Sequence, residues 1–284
     1  MGSEMCIRDR SLGCEIDKHA RKAYAHNLNL MPHDDITTLA NSDIPPHDIL
    51  LAGFPCQPYS VAGKRKGLDD ARGGPLVHAL MSIIASHRPK GIVLENVKGL
   101  LSVAGGEVMR DLIRILTSHG YTTDYRLLNA LDFGLPQRRE RVFIVATLNA
   151  FDAFPWPTDT VAMTPLADIL EPNPPSKYNL PDHKRESLYS RHSTDIVPSI
   201  WYETFANRNL VYSKPHSYTL ANVNYKQHTV NGTRYLTPRE RLRLQGFPDT
   251  FEIVCSDPQT VRQTGNAVAV PVAHAAIKSL LQVI

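Results

Sequence analysis

Long hydrophobic runs are missing from this chain, and so are paired cysteines and a large net charge. No segment approaches the ~18–20 uninterrupted apolar residues of a membrane span, and no signal-peptide pattern is present. The four cysteines are scattered, without a CxxC pair and without metal-ligand spacing to histidines, as is usual in a reducing cytoplasm. These absences predict a cytoplasmic globular protein with no membrane association and no bound metal.

The net charge of +3 is too small to indicate nucleic-acid binding by itself. Basic residues nevertheless gather in three places, at 64–72, 138–141 and 234–243. Each group taken singly fits a solvated loop or helix face equally well. Because the groups recur beside the motifs described below, we favour the interpretation that they line a phosphate-binding cleft.

Short apolar runs alternate with helical patterns in the first half of the chain. The predicted elements are strands at 47–54, 91–97 and 141–147 and helices at 75–88 and 107–120. Strands of continuous Val, Ile and Leu that alternate with helices indicate an α/β fold with a doubly wound, mostly parallel sheet. Ligands of such sheets bind beyond the carboxyl ends of the strands, which is where Cys56 and Glu95 fall.

The composition changes after about residue 148. Seven prolines between 151 and 181 interrupt a regular alternation, and the following residues to 233 are polar and weakly periodic. A capped helix is expected at 237–247 and a long apolar helix at 266–284. We therefore predict a catalytic α/β domain at 11–150, to which 263–284 returns, and a second, smaller, irregular region at 151–262.

Cys56 is a candidate nucleophile because it stands in the loop after a predicted strand, between Pro55 and Gln57. A reactive cysteine needs a pKa below its typical value of about 8.5, and the lysines and arginines at 64–66 offer nearby cations. A single cysteine after a buried strand is nevertheless more often a small core residue. The residue by itself leaves both interpretations open.

Glu95 and Asn96 end the second predicted strand, where charged residues are rarely placed for packing. A carboxyl group at this position can hold or donate a proton at a ring nitrogen while a thiolate attacks the ring. Arg139 and Arg141 are two residues apart on a predicted strand and are expected to point the same way. They could then contact an oxygen of that ring and a flanking phosphate. The alternatives are hydrogen bonding or helix capping for Glu95 and Asn96, and ordinary ion pairing for the two arginines.

Taken together, these motifs resemble those of the cytosine-5 DNA methyltransferase family, of the prokaryotic restriction-modification type. Their order and spacing match the family from about residue 13 to the end of the chain. The matching motifs are GFPCQPYS at 53–60, ENV at 95–97, QRRER at 137–141, RYLTPRERLRLQGFPD at 234–249 and QTGNAVAVPVA at 263–273. The resemblance implies that a thiolate adds to carbon 6 of a cytosine and that carbon 5 then accepts a methyl group.

The resemblance also implies S-adenosyl-L-methionine as cofactor. Glu15 would bind the ribose hydroxyls, and Asp35 would accept a hydrogen bond from the adenine amino group while Ile36 packs against the ring. Ile16 belongs to the same predicted site, and Asn266 would help to hold the methionine end.

Double-stranded DNA is the partner that the resemblance implies, with residues 151–262 reading bases in the major groove. The target cytosine would be flipped out of the duplex at a cost of a few kcal/mol to reach Cys56. A cognate restriction endonuclease is a functional partner, and a monomer is assumed. The residues implied at the DNA are Pro55, Gln57, Ser60, Asn96 and Thr219.

One element of the family pattern is not found in this sequence. The family begins with a strand, an FxGxGG turn and a helix that cradles the cofactor, whereas Glu15 already belongs to the predicted second strand. Residues 1–10 contain neither an apolar strand nor the glycine fingerprint, and we interpret them as a non-native leader joined to a truncated gene. This interpretation predicts an inactive fragment of an active enzyme.

Two other functions fit parts of the same pattern. A non-catalytic DNA-binding relative would use the recognition region alone, but the intact set of Cys56, Glu95, Arg139 and Arg141 argues against it. An RNA cytosine-5 methyltransferase would use the same scaffold, and the size of the 151–233 region favours duplex DNA weakly.

Overall fold

A computed structural model of the protein describes residues 12–54, 74–158, 160–203, 211–221 and 228–284. The helices are α1 Lys18–Leu28, α2 Gly74–His87, α3 Glu107–Ser118, α4 Leu166–Ile169, α5 Asp182–Tyr189, α6 Pro238–Leu244, α7 Asp257–Asn266 and α8 Val270–Leu280. The strands are β1 Ile49–Gly53, β2 Gly91–Val97, β3 Thr122–Asn129, β4 Gln137–Arg138, β5 Glu140–Thr147, β6 Ile200–Glu203, β7 Val211–Lys214, β8 Ser217–Tyr218, β9 His228–Val230 and β10 Arg234–Tyr235.

Four strands form the first sheet, in the order β1-β2-β5-β3. β1 and β2 are parallel, as predicted, but β5 runs antiparallel to β2. The predicted strands at 47–54, 91–97 and 141–147 and the helices α2 and α3 are present within two residues of their expected bounds. The mixed α/β architecture is confirmed.

The hydrophobic core beside this sheet explains why its central strands are continuously apolar. Ile92 and Leu94 of β2 and Ile144 of β5 face α2 and α3, and all three side chains are fully buried. Val93 and Val145 on the opposite face of the sheet are buried as well. A strand that is covered on both faces needs apolar side chains at successive positions, not at alternate ones.

The described residues group into two compact units. Unit 1 contains the described residues up to Leu128 together with Arg141–Pro157 and His274–Ile284, and unit 2 contains Asn129–Glu140 and Thr158–Ala273. The predicted boundaries at 150 and 263 are therefore displaced, because residues 129–140 and 263–273 group with unit 2 and not with the α/β unit.

Unit 2 is built around an antiparallel sheet of four short strands, in the order β10-β9-β6-β7, and a two-stranded parallel pair of β4 with β8. In one hydrophobic cluster of this unit, Ile200 of β6 and Val230 of β9 are buried together with Leu244 of α6. A second apolar cluster forms around Trp201 of β6. The predicted helix at 237–247 is confirmed as α6.

The prediction of one long helix at 266–284 is wrong at its beginning, because the helix in this segment begins only at Val270. Asn266 is the last residue of α7, and Ala267 is extended, with φ −61° and ψ 147°. A new helix, α8, begins at Val270 with Pro271 in its first turn. Proline favours the first turn of a helix because its missing N–H would have no intrahelical partner there. The apolar segment therefore follows a break and does not continue α7.

Glu15 does not lie in a regular strand of the described chain. Its amide donates to the carbonyl of His33 at 2.8 Å, and the neighbouring Cys14 forms an isolated parallel bridge with His33. The expectation that Glu15 belongs to a second strand is thus wrong, because a strand requires a continuous ladder. Within the ranges that the structure describes, no helix combines the length and apolar character needed to cross a membrane.

Candidate active site

The carboxyl ends of β1 and β2 lie side by side and define the candidate site in unit 1. Gly53, the last residue of β1, pairs in register with Glu95 of β2. A Cβ atom added at Gly53 would lie 3.4 Å from Oε2 of Glu95, so the backbone approaches this carboxylate closely. The predicted residues Pro55, Cys56, Gln57 and Ser60 lie outside the described residues.

Glu95 is held by Arg141. Because β5 runs antiparallel to β2, the beginning of β5 lies beside the end of β2, and Arg141 pairs in register with Val97. The Nε atom of Arg141 lies 3.1 Å from Oε1 of Glu95, and the side chains are 14% and 17% exposed, respectively. A guanidinium at this distance orients the carboxylate and limits its rotation.

Asn96 is buried and joins the two strand ends. Its Nδ2 atom donates to the carbonyl of Phe54 at 2.9 Å, and its Oδ1 atom accepts from the amide of Val97 at 2.8 Å. The side chain is only 2% exposed. These contacts match the hydrogen-bonding alternative for Asn96, and they position the residue that directly precedes the Pro55–Ser60 segment.

Arg139 and Arg141 have different partners, and the expectation that they point the same way is wrong. The extended run is interrupted at Arg139, since β4 ends at Arg138 and β5 begins at Glu140. The guanidinium of Arg139 is buried in unit 2, where its Nη2 atom donates to the carbonyls of Gly265 at 3.0 Å and Ala267 at 2.7 Å.

Thr219 is held by the same segment of unit 2. Its hydroxyl donates to the carbonyl of Arg138 at 2.9 Å, and the following amide, of Leu220, donates to Oε1 of Gln137 at 3.1 Å. Nη1 of Arg139 also donates to the carbonyl of Leu220, at 3.4 Å. The predicted DNA residue Thr219 and the arginine motif therefore belong to one hydrogen-bonded group.

The predicted cofactor residues of unit 1 form an acidic group near Cys14. Partial desolvation, followed by the charges of Asp35, Glu15 and Asp34, raises the pKa of the Cys14 thiol. The hydroxyl and amide of Thr37 donate to Oδ1 of Asp35 at 2.7 and 2.8 Å, which lowers the pKa of that carboxyl. Glu15 accepts from the amide of Asp17 at 2.8 Å, so both Glu15 and Asp35 act as hydrogen-bond acceptors.

The other three predicted cofactor residues, Ile16, Ile36 and Asn266, differ in their exposure to solvent. Ile16 is 74% exposed. Ile36 is partly buried and packs against the core of unit 1. Asn266 is exposed at the end of α7 in unit 2.

Comparison with known proteins identifies the family. A family model for C-5 cytosine-specific DNA methylase matches residues 4–282. The chain belongs to this family. It is 42% identical over 268 residues to the Type II methyltransferase M.NgoBI of Neisseria gonorrhoeae, covering 93% of this chain and 83% of that protein. It is also 42% identical over 271 residues to the Type II methyltransferase M.HaeII of Haemophilus aegyptius, covering 94% and 84%, respectively.

Solved structures of methyltransferases share the fold. The methyltransferase EhMeth of Entamoeba histolytica superposes with a TM-score of 0.73 over 95% of this chain and 89% of that one, at 19% identity. Dnmt2 of S. pombe gives a TM-score of 0.71 over 96% and 91%, at 23% identity. At these identities the likeness is one of fold.

The acidic group of this C-5 cytosine methylase fits the sugar and base of S-adenosyl-L-methionine. Ribose hydroxyls and an adenine amino group are hydrogen-bond donors, so they need acceptors such as the carboxylates of Glu15 and Asp35. The exposed side chain of Ile16 offers apolar surface next to them. Ile36 packs into the core, and any contact that it makes with an adenine ring uses the exposed part of its side chain.

Gln137 is a buried hydrogen-bonding residue next to the Thr219 segment, and the motifs assigned it no role. Its side chain is fully buried, accepts from the amide of Leu220 and donates to the carbonyl of Leu244 at 2.8 Å. It opens the QRRER motif, so the signal was present in the sequence. Its contacts are 83 and 107 residues away along the chain, and local spacing does not reveal such partners.

The third basic group, at 234–243, is part of the fold of unit 2. Arg234 forms a buried ion pair with Glu240 at 2.7 Å, and Arg243 pairs with Asp249 at 2.8 Å. Arg241 is 1% exposed. For Arg234, Arg241 and Arg243 the expectation of a phosphate-binding cleft is wrong, because their guanidinium groups are buried or paired with carboxylates. The first group, at 64–72, lies outside the described residues.

Proposed function

We propose that this chain transfers a methyl group from S-adenosyl-L-methionine to carbon 5 of a cytosine in duplex DNA, as the modification enzyme of a restriction-modification system. This proposal departs from the expectation of an inactive fragment, and a transfer assay distinguishes the two. The observation that carries the proposal is the orientation of Glu95 by Arg141 at the end of β2. The end of β1 lies in register with Glu95, and Cys56 follows three residues later in the sequence. The Type II methyltransferases at 42% identity support the same activity.

The proposed reaction begins when the thiolate of Cys56 attacks carbon 6 of the target cytosine. The electrons of the C5–C6 double bond shift through carbons 5 and 4 towards N3. Glu95 donates a proton to N3 and so neutralises the negative charge that develops there. Carbon 5 then becomes the nucleophile that takes up a methyl group. S-adenosyl-L-methionine, when bound, would supply this group by cleavage of its S–CH3 bond, with S-adenosyl-L-homocysteine as the leaving group. A base removes the proton from carbon 5, the C6–S bond breaks, and the thiolate of Cys56 is regenerated while N3 returns its proton.

Arg141 serves this reaction in two ways. It keeps the carboxyl group of Glu95 in one orientation, and we propose that it also donates a hydrogen bond to the oxygen of the pyrimidine ring. Asn96 fixes the backbone at Phe54, which directly precedes the Pro55–Ser60 segment in the sequence. Pro55, Gln57 and Ser60 are proposed to contact the DNA.

The cofactor is proposed to bind at the acidic group of unit 1. Glu15 accepts from the ribose hydroxyls, Asp35 accepts from the adenine amino group, and Ile16 and Ile36 contribute apolar surface. Asn266 is proposed to hold the methionine end. The carboxylate acceptors near Cys14 support this assignment of the two acids.

The target sequence is proposed to be read by residues 151–262, with Thr219 at the DNA. Arg139 has a different role from the one that the motif first indicated. Its guanidinium binds the carbonyls on both sides of Asn266 and the carbonyl of Leu220. We therefore assign Arg139 to positioning the Asn266 and Thr219 segments, and not to direct contact with the cytosine or a phosphate.

The test is transfer of labelled methyl from S-adenosyl-L-methionine to mixed-sequence duplex DNA. Cys56→Ser is expected to abolish transfer, and Cys255→Ser is the matched control that is expected to retain it, because Cys255 is not one of the residues proposed to act in catalysis or to bind the cofactor. The product should be 5-methylcytosine. Transfer that survives in Cys56→Ser, or that occurs on RNA in preference to duplex DNA, would contradict the proposal.

A further inference from the structure

Arg241 of α6 is an arginine in the interior of unit 2. Its Nε atom donates to the hydroxyl of Thr264 at 3.2 Å, and its Nη2 atom donates to the carbonyls of Ala221 at 2.9 Å and Val261 at 3.5 Å. Burial lowers the pKa of its guanidinium to about 10, so the group is still charged at neutral pH. Among the described residues it has no carboxylate partner, and its Nη1 atom has no hydrogen bond.

The neighbouring buried residue does not supply the missing negative charge. His228 of β9 is 1% exposed, and neither of its ring nitrogens makes a hydrogen bond of acceptable geometry within the part of the chain that the structure describes. Burial, followed by the charge of Arg241, lowers its pKa to about 3, with a weak opposing effect from the Tyr218 carbonyl. The imidazole is therefore neutral, and Arg241 is stabilised by carbonyl and hydroxyl dipoles alone among the described groups.

An arginine in this setting is a poor choice for stability. Transfer of a cation from water to the interior is expensive unless a carboxylate repays the cost, and apolar side chains of similar volume are often equally stable or better. A methionine would fill much of the same space without that cost. What it would not supply is a donor to the carbonyl of Ala221.

That carbonyl belongs to the segment 219–221, which four hydrogen bonds hold. The hydroxyl of Thr219 donates to Arg138, the amide of Leu220 donates to Gln137, and the carbonyl of Leu220 accepts from Arg139. These three contacts come from residues 137–139. The fourth joins the carbonyl of Ala221 to Arg241, and it ties the segment to α6.

We propose that Arg241 is a positioning residue for DNA recognition, which holds the segment 219–221 so that Thr219 is presented to the target sequence. This inference rests on the proposed function. It assigns to Arg241 no contact with DNA or with the cofactor. Its effect is transmitted through the backbone of Ala221, so loss of the guanidinium is expected to alter which DNA is bound and to leave the chemical step unchanged.

The variants are Arg241→Met and Arg241→Lys, with Arg243→Met as the matched control. Arg243 lies two residues further along α6 and donates to Asp249 and to the carbonyl of Ile169, and not to the segment 219–221. Arg241→Met is expected to raise the KM for DNA about 3- to 30-fold, with kcat within twofold of the parent. Arg241→Lys keeps one charged donor and is expected to recover part of the loss.

Sequence selectivity gives the second readout. Bisulfite sequencing of plasmid DNA after methylation shows which cytosines each variant modifies. Arg241→Met is expected to spread methylation to sites that differ from the preferred sequence, whereas Arg243→Met keeps the parent distribution. A parent-like KM and site distribution in Arg241→Met, or a fall in kcat at unchanged KM, would overturn the proposal.

Hydrogen exchange separates this inference from the proposed function because it needs no activity. The amide of Leu220 is expected to exchange faster in Arg241→Met than in the parent or in Arg243→Met, at equal melting temperature. If the parent transfers no methyl group to any DNA, the proposed function fails. The exchange rate of the Leu220 amide still decides, independently of activity, whether Arg241 holds the segment 219–221. If Arg241→Met does not fold, the same comparison in Arg241→Lys decides, and parent-like exchange there rejects the proposal.

Discussion

At the scale of single residues, the proposed roles of Glu95 and Asp35 depend on different neighbours. Arg141 forms an ion pair with the carboxylate of Glu95, whereas the hydroxyl and the amide of Thr37 both donate to Oδ1 of Asp35. The first arrangement orients a carboxyl group beside a cation, and the second fixes a carboxylate as an acceptor. This difference fits a group that handles a proton and a group that binds one end of a ligand.

Replacement of Glu95 by glutamine tests the proton role. Glu95→Gln keeps an acceptor for Arg141 but removes the acid, and general acid catalysis contributes about 10²–10⁴ in rate. We expect turnover to fall by a factor in this range while the Kd for DNA stays within about threefold. Glu107→Gln, on the exposed first turn of α3, is the control and should keep full turnover. A fully active Glu95→Gln enzyme would show that the carboxyl group is dispensable.

His228 predicts a specific acid sensitivity. Its pKa of about 3 in the folded state lies below its ordinary value of 6.5. Below pH 6.5 the unfolded chain takes up a proton that the folded chain does not, so this stability is present above pH 6.5 and is lost as the pH falls towards 3. At pH 5 the loss amounts to about 2 kcal/mol.

His228→Phe should remove this part of the pH dependence. The measurement is the free energy of unfolding in urea at pH 7 and at pH 5, for the parent, for His228→Phe and for His183→Phe, which replaces an exposed histidine of α5. We expect the parent and His183→Phe to lose more stability than His228→Phe between the two pH values. Equal losses in all three would mean that His228 is protonated as readily in the folded chain as in the unfolded one.

At the scale of elements, α6 shows how strongly local signals determine a helix in this chain. Thr237 accepts from the amide of Glu240, and Glu240 accepts in return from the amide of Thr237, which forms a capping box. Pro238 occupies the first turn, and Gly246 follows the helix with a φ of +79°. These signals lie within ten residues of one another, and for this reason the helix could be predicted from the sequence.

Gly246 also has a contact that no local signal indicates. A Cβ atom at this position would lie 2.5 Å from Cδ of Pro271, at the start of α8. Gly246→Ala should therefore cost about 1–2 kcal/mol for the left-handed backbone and a further 1–3 kcal/mol for the overlap. Both costs, that of the backbone conformation and that of the overlap, can be measured from the free energy of unfolding. The proteins to compare are the parent, Gly246→Ala, Pro271→Ala and the double variant.

The double-variant cycle distinguishes the two causes. If the overlap is real, Gly246→Ala is less damaging in the Pro271→Ala background, where the ring atoms are gone. Equal costs in the two backgrounds would assign the whole effect to the backbone conformation. They would also show that α8 moves to accommodate the methyl group.

At the scale of the whole molecule, the chain passes between the two units four times. β5 comes after residues 129–140, which belong to unit 2, and yet it lies between β2 and β3 in the sheet of unit 1. The C-terminal residues return as well, since a Cβ atom at Gly91 would lie 2.8 Å from Cδ2 of Leu280. Unit 1 is therefore completed only by late parts of the chain.

A fragment of residues 1–128 is consequently expected not to fold cooperatively. It contains β1, β2 and β3 but lacks β5, so β2 and β3 lose the strand that joins them. Near-ultraviolet circular dichroism and urea titration should show weak tertiary signal and a broad transition. Addition of residues 129–157 restores β5 and should sharpen the transition. A sharp, parent-like transition in the 1–128 fragment would refute this view of the sheet.

The sequence by itself determined the local elements and the family. The buried strands β1, β2 and β5, the helices α2, α3 and α6, and the order of the methylase motifs all follow from residues that are near one another along the chain. Periodicity, helix capping and motif spacing act over a few residues, so a single sequence contains the complete signal.

The tertiary structure decided which partners those residues have. The antiparallel direction of β5, which brings Arg141 to Glu95, depends on where the chain re-enters the sheet after residues 129–140. Arg139 binds carbonyls 126 and 128 residues away, and Arg241 binds carbonyls and a hydroxyl that lie on other elements. A buried guanidinium takes whichever acceptors the packed chain places around it, and those acceptors are backbone groups whose positions no side-chain pattern specifies.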